Sequence, residues 1–215
     1  MQITVREPGS ALTHFIGMIL AMFGSMPLLI EVGRTSNQKA ILSIMIFVLS
    51  MILLYGASTL YHSINLTGNR LKFFKKLDHV MIFVLIAGTY TPVCVITLSG
   101  TTGYVLLTVV WCIALAGMLF KMLWVTCPKW VSSVLYISLG WACLSVFGKL
   151  FAVLPRAAFI WLLIGGIIYT VGGVIYALKL SIFNAKHKYF GSHEIFHLFV
   201  MGGSFCHLVC MYLIV

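Results

Sequence analysis

Seven runs of apolar residues alternate along the chain with short polar or turn-rich separators. The runs fall at about 11–31, 40–61, 78–98, 103–122, 131–151, 156–178 and 193–215. A hydrocarbon core about 30 Å thick needs roughly 20 such residues per helix, so each run predicts one spanning helix. The separators are EVGRTSNQK, HSINLTGNRLKFFKK, LSGTTG, KMLWVTCPKW, the Pro155-Arg156 corner and KLSIFNAKHKYFGS. None is long enough for a further domain. Residues 1–215 therefore predict one all-α membrane domain, a seven-transmembrane-helix bundle. Pro92 should kink the third helix. The glycines Gly165, Gly166, Gly172 and Gly173 recur seven apart on the sixth, a spacing that predicts close helix–helix packing. The first run has no A-x-A exit and is expected to be retained rather than cleaved.

Composition narrows the class. Of the 215 residues, 61% are hydrophobic and only 8% charged, against about 45–50% and about 25% in a soluble domain; the mean hydropathy is +1.09. That shortage of charge excludes a water-soluble fold, a disordered chain and a nucleic-acid binder. The net charge of +10 sits in the gaps between apolar runs, as membrane loops do. On one side lie Arg6, Arg70, Lys72, Lys75, Lys76, Lys121, Lys129, Lys179, Lys186 and Lys188; the other holds Arg34, Lys39, Lys149 and Arg156. By the positive-inside rule the N-terminus is cytoplasmic and the C-terminus outside. Six cysteines without a CxxC pair read as small buried hydrophobes rather than a disulfide framework. The tryptophans read as anchors or packing.

Ionisable groups in spanning segments are expensive, so their positions carry functional information. On this topology His14, His62, His79, His193, His197 and Asp78 all reach the cytoplasmic leaflet, while His187 lies in the sixth loop and His207 lies deep. His193 and His197 are four apart and share a helix face. Two such imidazoles plus His62 from another helix make a three-nitrogen metal site, and zinc with three protein ligands keeps a fourth position for water. Asp78, at the start of the third run, reads either as an N-cap or as a carboxylate beside the metal, holding its water or acting as base. Ser58, one turn deeper than His62, reads either as a donor to that water or a developing oxyanion, or as a hydroxyl bonded to its own i−4 carbonyl. Glu194 points about 100° away from His193 around the helix and is expected to support the ligands from outside or to make a loop contact, rather than to ligate. His79 is expected to pack at the interface, and His207 to hydrogen-bond a neighbouring helix.

These residues sit in a recognisable signature. EPGSALTH (Glu7, Ser10, His14), STLYH (Ser58, His62), LDHVMIFVLIAGTYTP (Asp78 to Pro92) and HEIFHLFVMGGSFCH (His193 to His207) span nearly the whole chain. Together they resemble the hemolysin III family, the bacterial branch of the progestin and adiponectin receptor superfamily; Ser10 stands where members commonly have Asn. The resemblance implies a bacterial plasma-membrane protein with zinc near the cytoplasmic side. The metal would be held by His62, His193 and His197, with Asp78 contacting it through water and Ser58 nearby. Eukaryotic relatives are similar to alkaline ceramidases.

Three functions follow as expectations. The first is a zinc-dependent hydrolase of a lipid amide or ester, with a membrane lipid as substrate and Asp78 and Ser58 as catalytic residues. The second is a membrane-lytic, pore-forming protein. The third is a receptor-like regulator of membrane state with structural zinc. A retinal protein is excluded because the last run holds no lysine, and a di-iron desaturase because one H-x-x-x-H supplies too few histidines.

Overall fold

The computed structural model describes residues 5–178 and 191–215. Its seven long helices are all apolar enough to cross a membrane: α1 (Pro8–Arg34), α2 (Gln38–Ser63), α3 (Gly68–Leu98), α4 (Gly100–Leu123), α5 (Lys129–Val153), α6 (Arg156–Leu178) and α7 (Ser192–Ile214). There is no strand among the described residues. The chain is an integral membrane protein. Lys179, Lys186, His187 and Lys188 lie outside the described residues.

Local chemistry marks the helix ends and breaks. Pro8 occupies the first turn of α1, where its missing N–H removes a donor that would have no helical partner. Ser25 interrupts α1, its hydroxyl donating to the Ala21 carbonyl at 2.6 Å. Asn37 caps α2 by accepting from the Ala40 N–H at 3.2 Å. After Pro92, α3 widens into a π-helical turn over Val93–Leu98, the site where a kink is expected. Gly103 packs directly on this turn, since a Cβ there would lie 2.3 Å from the Cys94 carbonyl oxygen. A 3₁₀ stretch at Trp141–Val146 interrupts α5. The Tyr90 hydroxyl bridges that break, donating to the Gly140 carbonyl at 2.6 Å and accepting from the Cys143 N–H at 2.9 Å.

The most extensive pairings are α6 with α7, α2 with α3 and α1 with α2. Glycine permits the first of these: a Cβ at Gly172 would meet Phe199 at 2.6 Å, and one at Gly165 would meet His207 at 2.5 Å. Outward faces are apolar, with Leu20, Leu42, Leu123 and Phe151 exposed, while Ser10, His14, Ser58, His62, Asp78 and His197 are buried. Such an arrangement suits a bundle in lipid, where polar groups gain most by facing inward.

Two expectations are corrected here. Asp78 is not an N-cap. The polar stretch before it, GNRLKFFKK, is helical, so α3 begins at Gly68 and Asp78 lies well inside it. Long basic side chains are good helix formers and extend the helix beyond its apolar run. Lys121, counted with the basic loops, is fully buried instead, with Nζ 3.1 Å from Cys127 Sγ and 2.5 Å from Ser132 Oγ. Among the described residues all six cysteines are free; Cys94, Cys127, Cys206 and Cys210 are buried as expected of small hydrophobes, whereas Cys112 is exposed and Cys143 half-buried.

Candidate metal centre

The starts of α1 and α7, the end of α2 and the first half of α3 meet at one end of the bundle. The Glu7 N–H donates to the His62 carbonyl at 3.0 Å, bolting the start of α1 onto the end of α2. Ser10 donates to the Glu194 carboxylate, which also accepts from the Gly191 N–H at 2.7 Å. Glu194 thus caps α7 and ties it to α1, the contact expected of it rather than ligation.

Between these anchors stand three imidazoles. One ligand nitrogen from each of His62, His193 and His197 lies within 4.8 Å of the others, and the group could hold a metal ion. His62 Nε2 and His193 Nε2 are 3.2 Å apart. The rings of His193 and His197 are 4.4 Å apart, as i,i+4 spacing on α7 requires.

Contacts on the opposite ring nitrogens prepare two of the three for ligation. Glu7 accepts from His62 Nδ1–H, which leaves the Nε2 lone pair free. That hydrogen bond, together with the charge of Arg6, holds the Glu7 carboxyl below the usual carboxylate range. The Thr13 hydroxyl already donates to backbone carbonyls of Gly9 and Ser10, at 3.0 and 2.9 Å. His197 Nδ1, 3.0 Å from the same hydroxyl, must then be the donor, and its Nε2 is likewise free. Partners of this kind fix ring orientation and tautomer at metal sites.

Asp78 lies outside the 4.8 Å group but lines the same cavity as His193 and His197. It is 6% exposed. His79, expected at the interface, is buried beside it, its Nδ1 3.4 Å from Asp78 Oδ2. Both residues line the cavity wall. His14 stacks on His197 with ring centroids 3.6 Å apart and planes 9° apart. Ser58 is fully buried, and its hydroxyl has no hydrogen-bond partner among the described residues, so bonding to its own i−4 carbonyl does not account for it. His207 faces α6 from the deep end, with Nε2 3.3 Å from the Leu162 carbonyl.

The cavity runs from this end toward the middle of the bundle, between α3, α5, α6 and α7, and its walls are mostly apolar. It measures about 160 Å³, by a measure in which one water needs roughly 10–15 Å³.

Residues 2–208 match the profile of the family described as haemolysin-III related. The chain belongs to that family. It is similar to Hemolysin-3 of Bacillus cereus, 37% identical over 210 residues that cover 98% of this chain and 92% of the relative. It is also similar to the Hemolysin-3 homolog of Bacillus subtilis (strain 168), 39% identical over 97% of this chain and 94% of the relative. In this haemolysin-III related chain, spacing alone finds the His193–His197 pair. Contacts between helices distant in sequence give Thr13 its place and His14 its stacking, and no local signal reports either. Glu7 was visible as part of the EPGSALTH motif, but its contact with His62 was not.

Proposed function

We propose that the protein is a zinc-dependent intramembrane hydrolase acting on a lipid amide or ester. The observation that carries this reading is three converging imidazoles, two of them lining an apolar cavity whose wall also holds a buried carboxylate. The donor set fits zinc: two nitrogens at 2.0–2.1 Å from one tetrahedral ion stand about 3.3 Å apart, and His62 Nε2 and His193 Nε2 are 3.2 Å apart. Three protein ligands leave a fourth position open, as catalytic sites do.

Zinc held by His62, His193 and His197 would lower the pKa of a bound water to about 7 and polarise a carbonyl. The chain's own residues supply the rest. Glu7 and Thr13 keep the His62 and His197 rings in the ligating tautomer. Asp78 takes the proton of the attacking water and returns it to the leaving nitrogen or oxygen as the bond to the carbonyl carbon breaks. Ser58, whose hydroxyl has no partner among the described residues, donates to the oxygen on which negative charge develops. The apolar cavity receives an acyl chain and excludes water from it. A site near the cytoplasmic side would meet a linkage lying just below the lipid headgroups.

The test is elemental analysis of detergent-purified protein beside a His193→Ala, His197→Ala double variant, followed by lipid-amide turnover with the metal present and removed. About one zinc per chain in the wild type, lost in the double variant, with turnover that follows the metal, supports the reading. Absence of metal after chelator-free purification overturns it. One metal without turnover against a broad panel of amides and esters would favour structural zinc in a regulator of membrane state. The relatives' name, hemolysin, favours a membrane-lytic reading; leakage of dye-filled liposomes that persists in the double variant would support that one.

A further inference from the structure

The junction of α4 and α5 buries a lysine that neither the metal centre nor the cavity uses. Lys121, near the end of α4, is 0% exposed, Ser132 on α5 is 2% exposed, and Cys127 in the turn between them is 7% exposed. Lys121 Nζ donates to Ser132 Oγ at 2.5 Å and to Cys127 Sγ at 3.1 Å, and the thiol and hydroxyl are 3.4 Å apart. The three groups close a triangle. Among the described residues no ion pair includes Lys121, so the triangle holds no carboxylate.

Packing does not account for this choice of residues. A buried cation without a counter-charge is costly, and an apolar side chain of similar volume would fill the space without that cost. What the triangle offers is reactivity. A thiol oxidised to its sulfenic acid condenses with a neighbouring nitrogen, and here the nitrogen is already in contact with the sulfur. Lysine only donates, so Ser132 Oγ accepts from Nζ and its own proton is left for the sulfur side. The thiol lies in a turn whose neighbouring residues Thr126 and Pro128 are exposed, and Cys127 keeps part of its own surface there, within reach of a small oxidant.

We propose that Lys121 and Cys127 form a reversible oxidation site, joined by a peroxide into a covalent Nζ–Sγ link. In the first step the Cys127 thiol takes an oxygen from hydrogen peroxide, giving a sulfenic acid and one water; sulfur is oxidised by two electrons and the peroxide reduced. In the second, the Lys121 ammonium gives up a proton to solvent and its nitrogen lone pair attacks the sulfur. The S–O bond breaks, Ser132 donates to the departing hydroxyl, and this leaves as water with the second nitrogen proton. Two molecules of an external thiol reverse the link, restoring amine and thiol and leaving as their disulfide. The product replaces a buried cation with a neutral tie across the α4–α5 turn. It sits beside Tyr136, whose ring centroid is 6.0 Å from Lys121 Nζ and whose hydroxyl donates to the His79 carbonyl on the cavity wall at 3.1 Å.

The experiment treats the detergent-purified full chain with hydrogen peroxide, then denatures, alkylates and digests it with chymotrypsin for mass spectrometry. Cleavage after Met122, Leu123 and Trp124 separates Lys121 from Cys127 unless a bond joins them. The expected result is a joined pair of fragments, about 2 Da lighter than their sum, that dithiothreitol separates. Lys121→Gln is expected to lose the pair. Cys127 recovered from oxidised wild type as the alkylated thiol, as a sulfinic acid or in a disulfide, with no joined pair, overturns the proposal. A joined pair that dithiothreitol leaves intact overturns it as well. The wild-type digest decides the matter even where Lys121→Gln fails to fold, because the joined fragments themselves identify both residues.

Discussion

Two polar clusters are buried in the bundle, and they differ in how far they satisfy themselves. Midway along α2, α6 and α7, Tyr55, Tyr169 and Ser204 meet one another through hydrogen bonds of 2.6 and 2.8 Å. At the end where α1, α2 and α7 meet, Ser58 Oγ, both nitrogens of His14 and His193 Nδ1 have no hydrogen-bond partner among the described residues. Buried polar groups are ordinarily paired. The first cluster ties α2, α6 and α7 together, whereas the second leaves open the groups that the proposed metal and substrate would meet.

The largest effect expected from this comparison is at the open cluster. Stripping metal with a tight chelator should lower the thermal midpoint by about 10 °C, the consequence of losing about 4 kcal/mol of ligand-linked stability in a chain of this size. Differential scanning fluorimetry in detergent, with zinc added back, checks it; an unmoved midpoint would break the comparison at its strongest point.

Next comes the closed cluster. Ser204→Ala leaves two buried tyrosine hydroxyls without their partner and should destabilise by about 2–3 kcal/mol, while the metal content per chain stays at the wild-type value. A variant that lost metal instead would show the two clusters to be one.

Glu7→Gln sharpens the open side further. Removing the carboxylate on His62 Nδ1 is expected to weaken zinc binding about 10–100-fold, read by competition with a chromophoric chelator. An unchanged affinity would demote Glu7 to a helix anchor acting through its backbone alone.

The smallest stability effect belongs to Ser58→Ala. The lost hydroxyl makes no hydrogen bond among the described residues, so stability should change by less than about 0.5 kcal/mol. Turnover of a lipid amide should nonetheless fall roughly a hundredfold if the hydroxyl meets developing charge. A stability loss with intact turnover would reverse the assignment.

How much of this was legible in advance follows from the range of each interaction. The pairing of His193 with His197 needs only the helical period. Their meeting with His62 needs only that alternate helix ends share a leaflet. Asp78 was harder, because basic helix formers carry α3 past its apolar run and move the residue from a cap to a wall. Lys121 looked like a loop charge, yet Cys127 and Ser132 fold back over it.

The amino-acid sequence by itself determined the membrane class, the seven helices and the convergence of titratable side chains, because apolar length and helical period are local properties read one segment at a time. Only the tertiary structure decided which ring nitrogens are free, which hydroxyls are spent and where His14 and His207 face. A tautomer is set by whatever atom lies across from it, and in this bundle that atom comes from another helix.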